Sequence, residues 1–397
     1  MAKNLAMYNP ISTYVTFTEN HSKKYSLSDV VTICKRIKNS KRDFLFVNPL
    51  QGKNLHVNPS KSIDLFEELV LQIKSSIPES EKVIVIGFAE TATAIGNYIA
   101  SRMPNCIYYM QTTRENIPNK EPLLTFQEEH SHATKHLLYG DIKKLKSCHH
   151  IIFVDDEIST GNTILNFIKA LNSIGVNCNY SVGSILNCQN TAWMEKFSKL
   201  NINTFCIMKG EINNLKAIVP VKVTNPDEAV CKHKVNPNIL KVTFDIPTAN
   251  IGVVPVDFKD TINAVYNEVF KSKKITLPKP NEKVLVLGTE EYMFVPMIFG
   301  NILESNLKLD VQFHATTRTP IEASYAAGYA IKNRFHITSC YDEERTTYIY
   351  NLKKYDRVYI VTNVTPTKGF LMDIYSALEA VGCNSSTISC ITLNTLH

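Results

Sequence analysis

Short apolar runs alternate with longer amphipathic stretches along most of the chain. Runs rich in branched apolar residues occupy residues 82–88, 151–154, 283–288 and 356–362. Residues 158–172 instead space their apolar side chains as one face of a helix would. Continuous apolar runs are typical of strands that are buried on both faces. Their alternation with helices predicts an α/β fold with parallel sheets flanked by helices.

The same order of runs occurs twice, which predicts two duplicated domains. The offset between matched residues grows from 201 at Lys82 and Lys283 to 207 at Val154 and Val361, as small loop insertions would produce. The length of 397 residues also suits two or three domains of about 100–200 residues each. We expect a first domain at residues 1–220 and a second at residues 221–397. A Pro- and Asn-rich linker with edge-strand character would join them at about residues 209–250.

The segment IIFVDDEISTGNT at residues 151–163 carries the clearest chemistry. Asp155 and Asp156 follow a buried strand, and ligands of open α/β sheets bind at the carboxyl ends of strands. The next loop opens a helix, whose N–H groups and dipole favour a phosphate. A ribose 5-phosphate fits both parts, with its phosphate on the loop and its hydroxyls on the carboxylates. The predicted phosphate-binding residues are Ser159, Thr160, Gly161, Asn162 and Thr163.

This segment resembles the phosphoribosyl pyrophosphate (PRPP) signature of type I phosphoribosyltransferases. That signature has four apolar residues, two acids, two further residues and a small-Thr-Gly-x-Thr loop. Purine-specific members often carry an acid directly before the Thr-Gly pair. Ser159 stands there in this chain, which disfavours a purine acceptor.

The wider chain resembles the two-part phosphoribosyltransferase proteins encoded in bacterial tellurium-resistance and stress-response gene clusters. These carry an orotate-phosphoribosyltransferase-like domain followed by a domain named for a TRSP motif, and the resemblance covers roughly residues 25–392. Thr319 stands where that name implies Ser. The matching stretches are residues 41–53, 86–96, 111–116 and 126–138, and in the second half LGTEEYMFVPM, ATTRTPIE and YDEERTTYIYNL.

The resemblance implies roles for further residues of the first domain. Mg²⁺ would be the cofactor, held by Asp155 and Asp156 directly or through water, because Mg²⁺ prefers oxygen ligands and keeps several waters. The two aspartates would also hold the ribose hydroxyls as catalytic residues. The residues that would bind pyrophosphate are Ala89, Glu90, Thr91, Arg114 and Lys53.

The polar segment FQEEHSHATKHLL at residues 126–138 lies where these enzymes have a mobile catalytic flap. His130, His132 and Lys135 are the candidates to supply a proton or to contact pyrophosphate, since imidazole titrates near neutrality. Two alternatives stay open. The segment is a solvated loop without a catalytic role, or His132 and His136 bind a metal from one helix face.

The second domain is expected to be a degenerate copy that has lost PRPP. Thr362 and Asn363 stand opposite the two aspartates, and the following loop reads Thr-Pro-Thr-Lys-Gly. Polar residues nevertheless remain at its strand ends. These predict a second pocket for an acceptor or product, with a purely structural second half as the alternative. The predicted pocket residues are Glu290, Glu291, Thr317 and Arg318.

Composition narrows the class of protein. The net charge of +6 comes without a strong basic run, which suits an anionic small substrate and disfavours nucleic acid. Ten cysteines without a CxxC pair indicate free thiols in a reducing cytoplasm. The N-terminus has no signal-peptide core, and no apolar run approaches the ~18–20 residues of a membrane span. We therefore expect a cytoplasmic protein without a membrane or nucleic-acid partner.

The sequence predicts an enzyme that transfers ribose 5-phosphate between pyrophosphate and a nitrogen of a small base-like acceptor. Its product would be a nucleotide-like stress metabolite, and the protein is expected to form a homodimer. The alternatives are a PRPP- or nucleotide-binding regulator without turnover and a structural subunit with vestigial sites. The acid pair and the polar flap favour the enzyme.

Overall fold

The computed structural model describes residues 15–37, 44–127, 135–213, 236–243, 249–271, 273 and 275–394. Its first half contains β1 (Val15–Asn20), α1 (Leu27–Val30), β2 (Thr32–Lys35), β3 (Phe44–Val47), α2 (Pro59–Lys74), β4 (Val83–Gly87), α3 (Thr93–Arg102), β5 (Cys106–Thr113), β6 (Leu124–Gln127), β7 (Lys135–Leu138), α4 (Ile142–Ser147), β8 (His150–Ile158), α5 (Asn162–Ser173), β9 (Asn179–Asn187), α6 (Thr191–Lys199) and β10 (Asn203–Ile212).

The second half contains β11 (Asn238–Thr243), a 3₁₀ turn (Ala249–Ile251), α7 (Pro255–Lys271), β12 (Lys283–Gly288), α8 (Phe294–Leu307), β13 (Asp310–Ala315), β14 (Arg334–Thr338), β15 (Thr346–Tyr350), β16 (Arg357–Thr362), α9 (Lys368–Ala380), a 3₁₀ turn (Ser385–Thr387) and β17 (Ile388–Asn394). Among the described residues, no helix is both long and apolar enough to cross a membrane.

The first half forms an eight-stranded sheet in the order β1-β10-β9-β8-β4-β5-β7-β6. Its five central strands, β10 to β5, run parallel, while β1 and the β6–β7 hairpin join antiparallel at the two edges. Every residue of β4 is buried, as its unbroken apolar run predicts for a strand covered on both faces. The carboxyl ends of β4, β5 and β8 therefore meet at one edge.

The second half forms a five-stranded parallel sheet in the order β11-β17-β16-β12-β13. Its central strands β12 and β16 are again apolar and almost wholly buried. Strand β11 lies at the edge of this sheet, so part of the predicted linker has the edge-strand character expected of it. The predicted α/β fold with parallel sheets flanked by helices is confirmed.

The two halves pack directly on each other, and one hydrophobic cluster runs through both. Val57, just before α2, forms a bridge with Phe313 of β13. In the same way Val253, just before α7, forms a bridge with Tyr109 of β5. The segment before a helix of each half thus forms an antiparallel bridge with a strand of the other half. The predicted boundary at residue 220 stays a prediction, because residues 214–235 lie outside the described part of the chain.

Candidate active site

Strand β8 carries both aspartates within its length, since it continues to Ile158. Asp156 accepts a hydrogen bond at Oδ1 from the hydroxyl of Thr91, at 2.7 Å. The Asp156 backbone N–H donates to Oδ1 of Asp155 at 2.9 Å. Burial raises the pKa of the Asp156 carboxyl above its ordinary value, and the bond from Thr91 only partly opposes that rise. The acid pair is therefore held in place on a strand and partly withdrawn from water.

The loop after β8 turns sharply into α5. Gly161 has a φ of +80° and caps the helix, a conformation that favours glycine. The Thr160 hydroxyl accepts from the backbone N–H of Asn162 at 3.2 Å, and the Thr160 carbonyl accepts from Nε2 of Gln189 at 3.1 Å. The first N–H groups of a 12-residue helix thus face the same edge as the aspartates, an arrangement suited to a phosphate.

The loop at residues 89–91 follows β4 and lies beside the acid pair. The Ala89 N–H donates to the hydroxyl of Thr112 at 2.9 Å, and the Ala89–Glu90 peptide is cis. The hydrogen bond from Thr91 to Asp156 joins this loop to β8. The structure therefore brings together two segments that lie about 65 residues apart in the chain. The side chain of Glu90 points away from them and is 4% exposed.

Lys53 differs from its predicted role. Its side chain has no exposed surface, and Nζ donates to the carbonyl oxygens of Glu290 at 2.7 Å and Thr316 at 3.3 Å. Burial lowers the pKa of its ammonium, although the nearby carboxylate of Glu90, 3.7 Å away, opposes that shift. Lys53 faces the second half of the molecule, so this geometry does not support a contact with pyrophosphate. Packing between the two halves, which buries Lys53 against Glu290 and Thr316, accounts for the difference.

Arg114, at the end of β5, is half-buried beside the same loop. Its Nη1 lies 3.7 Å from Oε1 of Glu90, and its backbone N–H donates to Oε1 of Glu291 at 3.3 Å. Arg114 therefore lies between the loop at residues 89–91 and the second half. Its contact with pyrophosphate stays a prediction.

The flap segment is described only at its two ends. His130 and His132 lie outside the described residues, and so does the side chain of Lys135. His136 lies on β7, with its ring stacked 5.1 Å from that of Phe126 and Nδ1 3.3 Å from the Thr112 hydroxyl. Because β7 is a strand paired with β6, the alternative of a metal held by His132 and His136 on one helix face is wrong.

The predicted pocket residues of the second half are brought together, but against the first half. Glu290 and Thr317 are fully buried and Glu291 is 5% exposed. The cavity beside Glu291 and Arg318 has a volume of only about 20 Å³, which is room for one water. Ligand pockets usually measure about 300–1,000 Å³, so a second substrate pocket at these residues does not match the structure.

Sequence reasoning missed two members of this buried group, Glu115 and Arg345. Arg345 donates to both carboxylate oxygens of Glu115, at 3.1 Å for the Nη2 contact, and also lies 3.2 Å from Oε2 of Glu290. Both residues stand in stretches that carry the family resemblance. No local pattern indicates that the two stretches meet.

The carboxylates of β8 have the chemistry that Mg²⁺ requires of its ligands. Asp155 and Asp156 supply hard oxygen ligands at a half-buried strand end, and Mg²⁺ commonly takes one or two carboxylates while keeping its waters. Within the described ranges, no group of three or more His, Cys, Asp or Glu side chains is placed to hold a metal. Two carboxylates with water and substrate oxygens therefore fit the ion.

Two family models match the chain, one in each half. Residues 30–211 match the family model described as phosphoribosyl transferase. Residues 251–378 match the model of the TRSP domain that lies C-terminal to it. The chain therefore carries a phosphoribosyltransferase domain followed by a TRSP domain, which confirms the predicted two-part family and the class of pentosyl-transferring enzymes. The tellurium-resistance and stress-response gene context stays a prediction. No curated protein matches the chain.

Solved phosphoribosyltransferases match this chain at low sequence identity and low TM-score. Adenine phosphoribosyltransferase from Giardia lamblia, complexed with 9-deazaadenine, is 14% identical with a TM-score of 0.36, over 48% of this chain and 98% of that one. Adenine phosphoribosyltransferase from Trypanosoma brucei, in complex with AMP, pyrophosphate and ribose-5-phosphate, is 14% identical with a TM-score of 0.34. The match covers 49% of this chain and 86% of that one. Orotate phosphoribosyltransferase from Aeropyrum pernix is 17% identical with a TM-score of 0.25. The match covers 38% of this chain and 72% of that one.

Proposed function

We propose that the first domain transfers ribose 5-phosphate from PRPP to a nitrogen of a small base-like acceptor. The hydrogen bond between Thr91 and Asp156 carries this proposal, because it sets the loop at residues 89–91 against the acid pair. The glycine turn into α5 lies at the same edge. Phosphate, ribose and pyrophosphate thus each have a suitable neighbour at adjacent strand ends.

In the reaction, the bond from ribose C1 to a pyrophosphate oxygen breaks and a bond from C1 to the acceptor nitrogen forms. Positive charge develops at C1, as in glycoside cleavage. Asp155 and Asp156 would accept hydrogen bonds from the ribose hydroxyls and would stabilise the positive charge at C1. The N–H groups at Thr160 to Thr163 would hold the 5-phosphate. When bound, Mg²⁺ would neutralise charge on the pyrophosphate.

The proton of the acceptor nitrogen needs a base. The proposed candidates remain His130 and His132, which stand in the sequence between β6 and β7, and Lys135, the first residue of β7. The same residues also permit the reverse reaction, in which pyrophosphate attacks C1 of a nucleotide. A nucleotide-like stress metabolite as product, a cytoplasmic location and a homodimer remain proposals made from the sequence resemblance.

Pyrophosphate release from PRPP tests the enzyme directly. Purified protein would be incubated with PRPP, Mg²⁺ and a panel of nitrogenous bases and small amines. Release that depends on one acceptor would establish the transferase. Tight PRPP binding without release for any acceptor would favour the regulator, and absence of PRPP binding would overturn the assignment of residues 155–163.

We further infer that the second domain is a duplicated copy that has lost PRPP. Its sheet has the same parallel order as the centre of the first, with β13, β12, β16, β17 and β11 in the places of β5, β4, β8, β9 and β10. Thr362 and Asn363 stand at the positions that match Asp155 and Asp156. The first N–H groups of α9, at Lys368 and Gly369, already donate to the carboxylate of Glu343, at 2.8 and 3.2 Å. A side chain thus occupies the phosphate position.

This inference predicts a single PRPP site per chain. Calorimetric titration of PRPP with Mg²⁺ into the wild-type protein is expected to give about one site per chain. The Glu343→Ala variant, which removes the acceptor oxygens and so frees the α9 N–H groups, should give the same value, since it does not restore the missing acid pair. A stoichiometry near two in either protein would contradict the inference.

A further inference from the structure

Four basic and four acidic side chains meet where the two domains pack together. We call this group the interdomain ion cluster; its members are Lys53, Arg114, Arg318, Arg345, Glu90, Glu115, Glu290 and Glu291. Each member is buried or half-buried. Charges removed from water in this way are costly unless each has opposite charges and hydrogen bonds nearby. The cluster therefore couples the positions of the two domains.

The two domains cap each other's loops in the same manner. Oε2 of Glu90, on the first domain's loop, accepts from the Thr317 hydroxyl at 3.3 Å and from the Arg318 N–H at 3.4 Å. Glu291, on the corresponding loop of the second domain, accepts from the Thr113 hydroxyl at 2.7 Å and from the Arg114 N–H at 3.3 Å. Each carboxylate thus ends on the Thr-Arg pair of the opposite domain.

Arg318 contacts the largest number of acids in this cluster. Its Nε lies 2.6 Å from Oε2 of Glu290 and 3.5 Å from Oε1 of Glu90. Its Nη2 donates to Glu115. Burial would raise the pKa of Glu90, but the positive charges of Lys53, Arg318 and Arg114 outweigh burial and leave that pKa below its ordinary value. Glu90 is therefore held as a carboxylate by cations from both domains.

The loop at residues 89–91 is consequently fixed from two sides. Thr91 ties it to Asp156 of the acid pair, at 2.7 Å. Glu90, the preceding residue, ties it to the second domain through Arg318 and Thr317. The backbone between these two anchors is the part that would meet pyrophosphate. Preformed N–H donors bind developing or transferred charge best when their supporting contacts are rigid.

We propose that Arg318 of the TRSP domain is a positioning residue for the pyrophosphate half of the first domain's site. It acts through Glu90, by holding the loop at residues 89–91 in the form that binds pyrophosphate. The proposal rests on the proposed function of the first domain. It gives the second domain a role in PRPP recognition without a ligand of its own.

The test compares two ligands that differ only in the pyrophosphate group. PRPP needs the loop at residues 89–91, whereas ribose 5-phosphate needs only the acid pair and the loop before α5. In Arg318→Gln, the Kd for PRPP is expected to rise about ten-fold or more, because a shift of the loop by about 1 Å costs that much or more. The Kd for ribose 5-phosphate should stay within about two-fold, a split that general loss of structure would not produce.

Two further variants keep this test sharp. Arg318→Lys retains the charge but cannot contact Glu290, Glu115 and Glu90 together, so the PRPP Kd should rise by an intermediate amount with the ribose 5-phosphate Kd unchanged. Arg357→Gln is the matched control. Arg357 is a buried partner of Glu282 within the second domain, at 2.7 Å between Nε and Oε2. Among the contacts that the structure describes, it has none with the interdomain ion cluster. Both ligands should bind this control like the wild type.

The possible results distinguish the role of Arg318 from the proposed function of the first domain. Suppose that the wild type binds ribose 5-phosphate and PRPP, and that Arg318→Gln binds each of them with wild-type affinity. This result would overturn the role of Arg318 and leave the proposed function standing. If Arg318→Gln and Arg318→Lys weaken the binding of both ligands by the same factor, the role of Arg318 is also overturned, because an equal loss of affinity indicates a general structural role. Failure of the wild type to bind PRPP would overturn the proposed function and this inference together.

Discussion

The Asp155→Asn, Asp156→Asn double variant is expected to lose PRPP turnover almost completely. We expect kcat/KM to fall by about 10²-fold or more, the range found when one preorganised group is removed from an active site. An amide has one acceptor oxygen and no charge, so it stabilises neither the ribose hydroxyls nor the positive charge at C1. The change at Asp156 also weakens the acceptor of the Thr91 hydroxyl. Acceptor-dependent pyrophosphate release is the measurement.

Asp141→Asn is the matched control for that double variant. Asp141 caps α4 in the same domain, where its side chain accepts from the Lys143 N–H at 2.8 Å, and asparagine caps helices about as well as aspartate. The control should keep wild-type turnover. A double variant with wild-type turnover and wild-type PRPP affinity would contradict the role of the acid pair.

The Gly161→Ala variant is expected to bind ribose 5-phosphate about ten-fold or more weakly. A Cβ at this residue would lie 2.8 Å from Cε2 of Phe197 and 2.9 Å from Nε2 of Gln189. Phe197 is 1% exposed, so its ring cannot move aside and the loop must shift. A φ of +80° adds strain for any side chain. We expect a stability loss of roughly 1–3 kcal/mol, from the overpacking and the strained backbone together.

Gly175→Ala separates loop displacement from backbone strain. Gly175 has a φ of +81°, but the nearest atom to its Cβ would be Nζ of Lys146, at 3.4 Å. It follows the far end of α5 and so lies away from the phosphate position. This control should lose some stability in urea unfolding while its ribose 5-phosphate affinity stays unchanged. Equal affinities for the Gly161→Ala and wild-type proteins would show that the loop does not hold the phosphate.

The fold and the centre of the site could be predicted because both depend on contiguous residues. The apolar runs at β4, β8, β12 and β16 became buried parallel strands, since strands covered on both faces require unbroken apolar sequence. The acids on β8 and the glycine turn into α5 are neighbours in the chain. Their meeting therefore needs no knowledge of tertiary packing.

The interdomain contacts could not be predicted in this way. Lys53 looked like a phosphate-binding residue, because its sequence neighbours give no sign that Glu290 and Thr316 surround it. The polar strand ends of the second domain likewise suggested an open pocket. The burial of Lys53 and of these strand ends depends on how two halves about 200 residues apart in the chain pack together. The periodicity of apolar residues contains no information about that packing. Repeat symmetry was the one signal that could have placed Glu90 opposite Arg318.

In the flap segment, residue spacing alone predicted the wrong local structure at His136. His132 and His136 are four residues apart, which fits one face of a helix, but pairing between β6 and β7 decides the structure at His136. Phe126 and His136 are cross-strand partners in that hairpin, and stacked aromatic pairs stabilise such partners. The roles of His130, His132 and Lys135 stay predictions.

A crystal structure of the protein with PRPP and Mg²⁺ bound tests the central claim most directly. We predict one PRPP molecule per chain in the first domain. Its 5-phosphate would accept from the N–H groups at residues 160–163, its ribose hydroxyls would donate to Asp155 and Asp156, and its pyrophosphate would lie on the loop at residues 89–91. PRPP bound at the second domain instead, or with its ribose away from the two aspartates, would contradict the account.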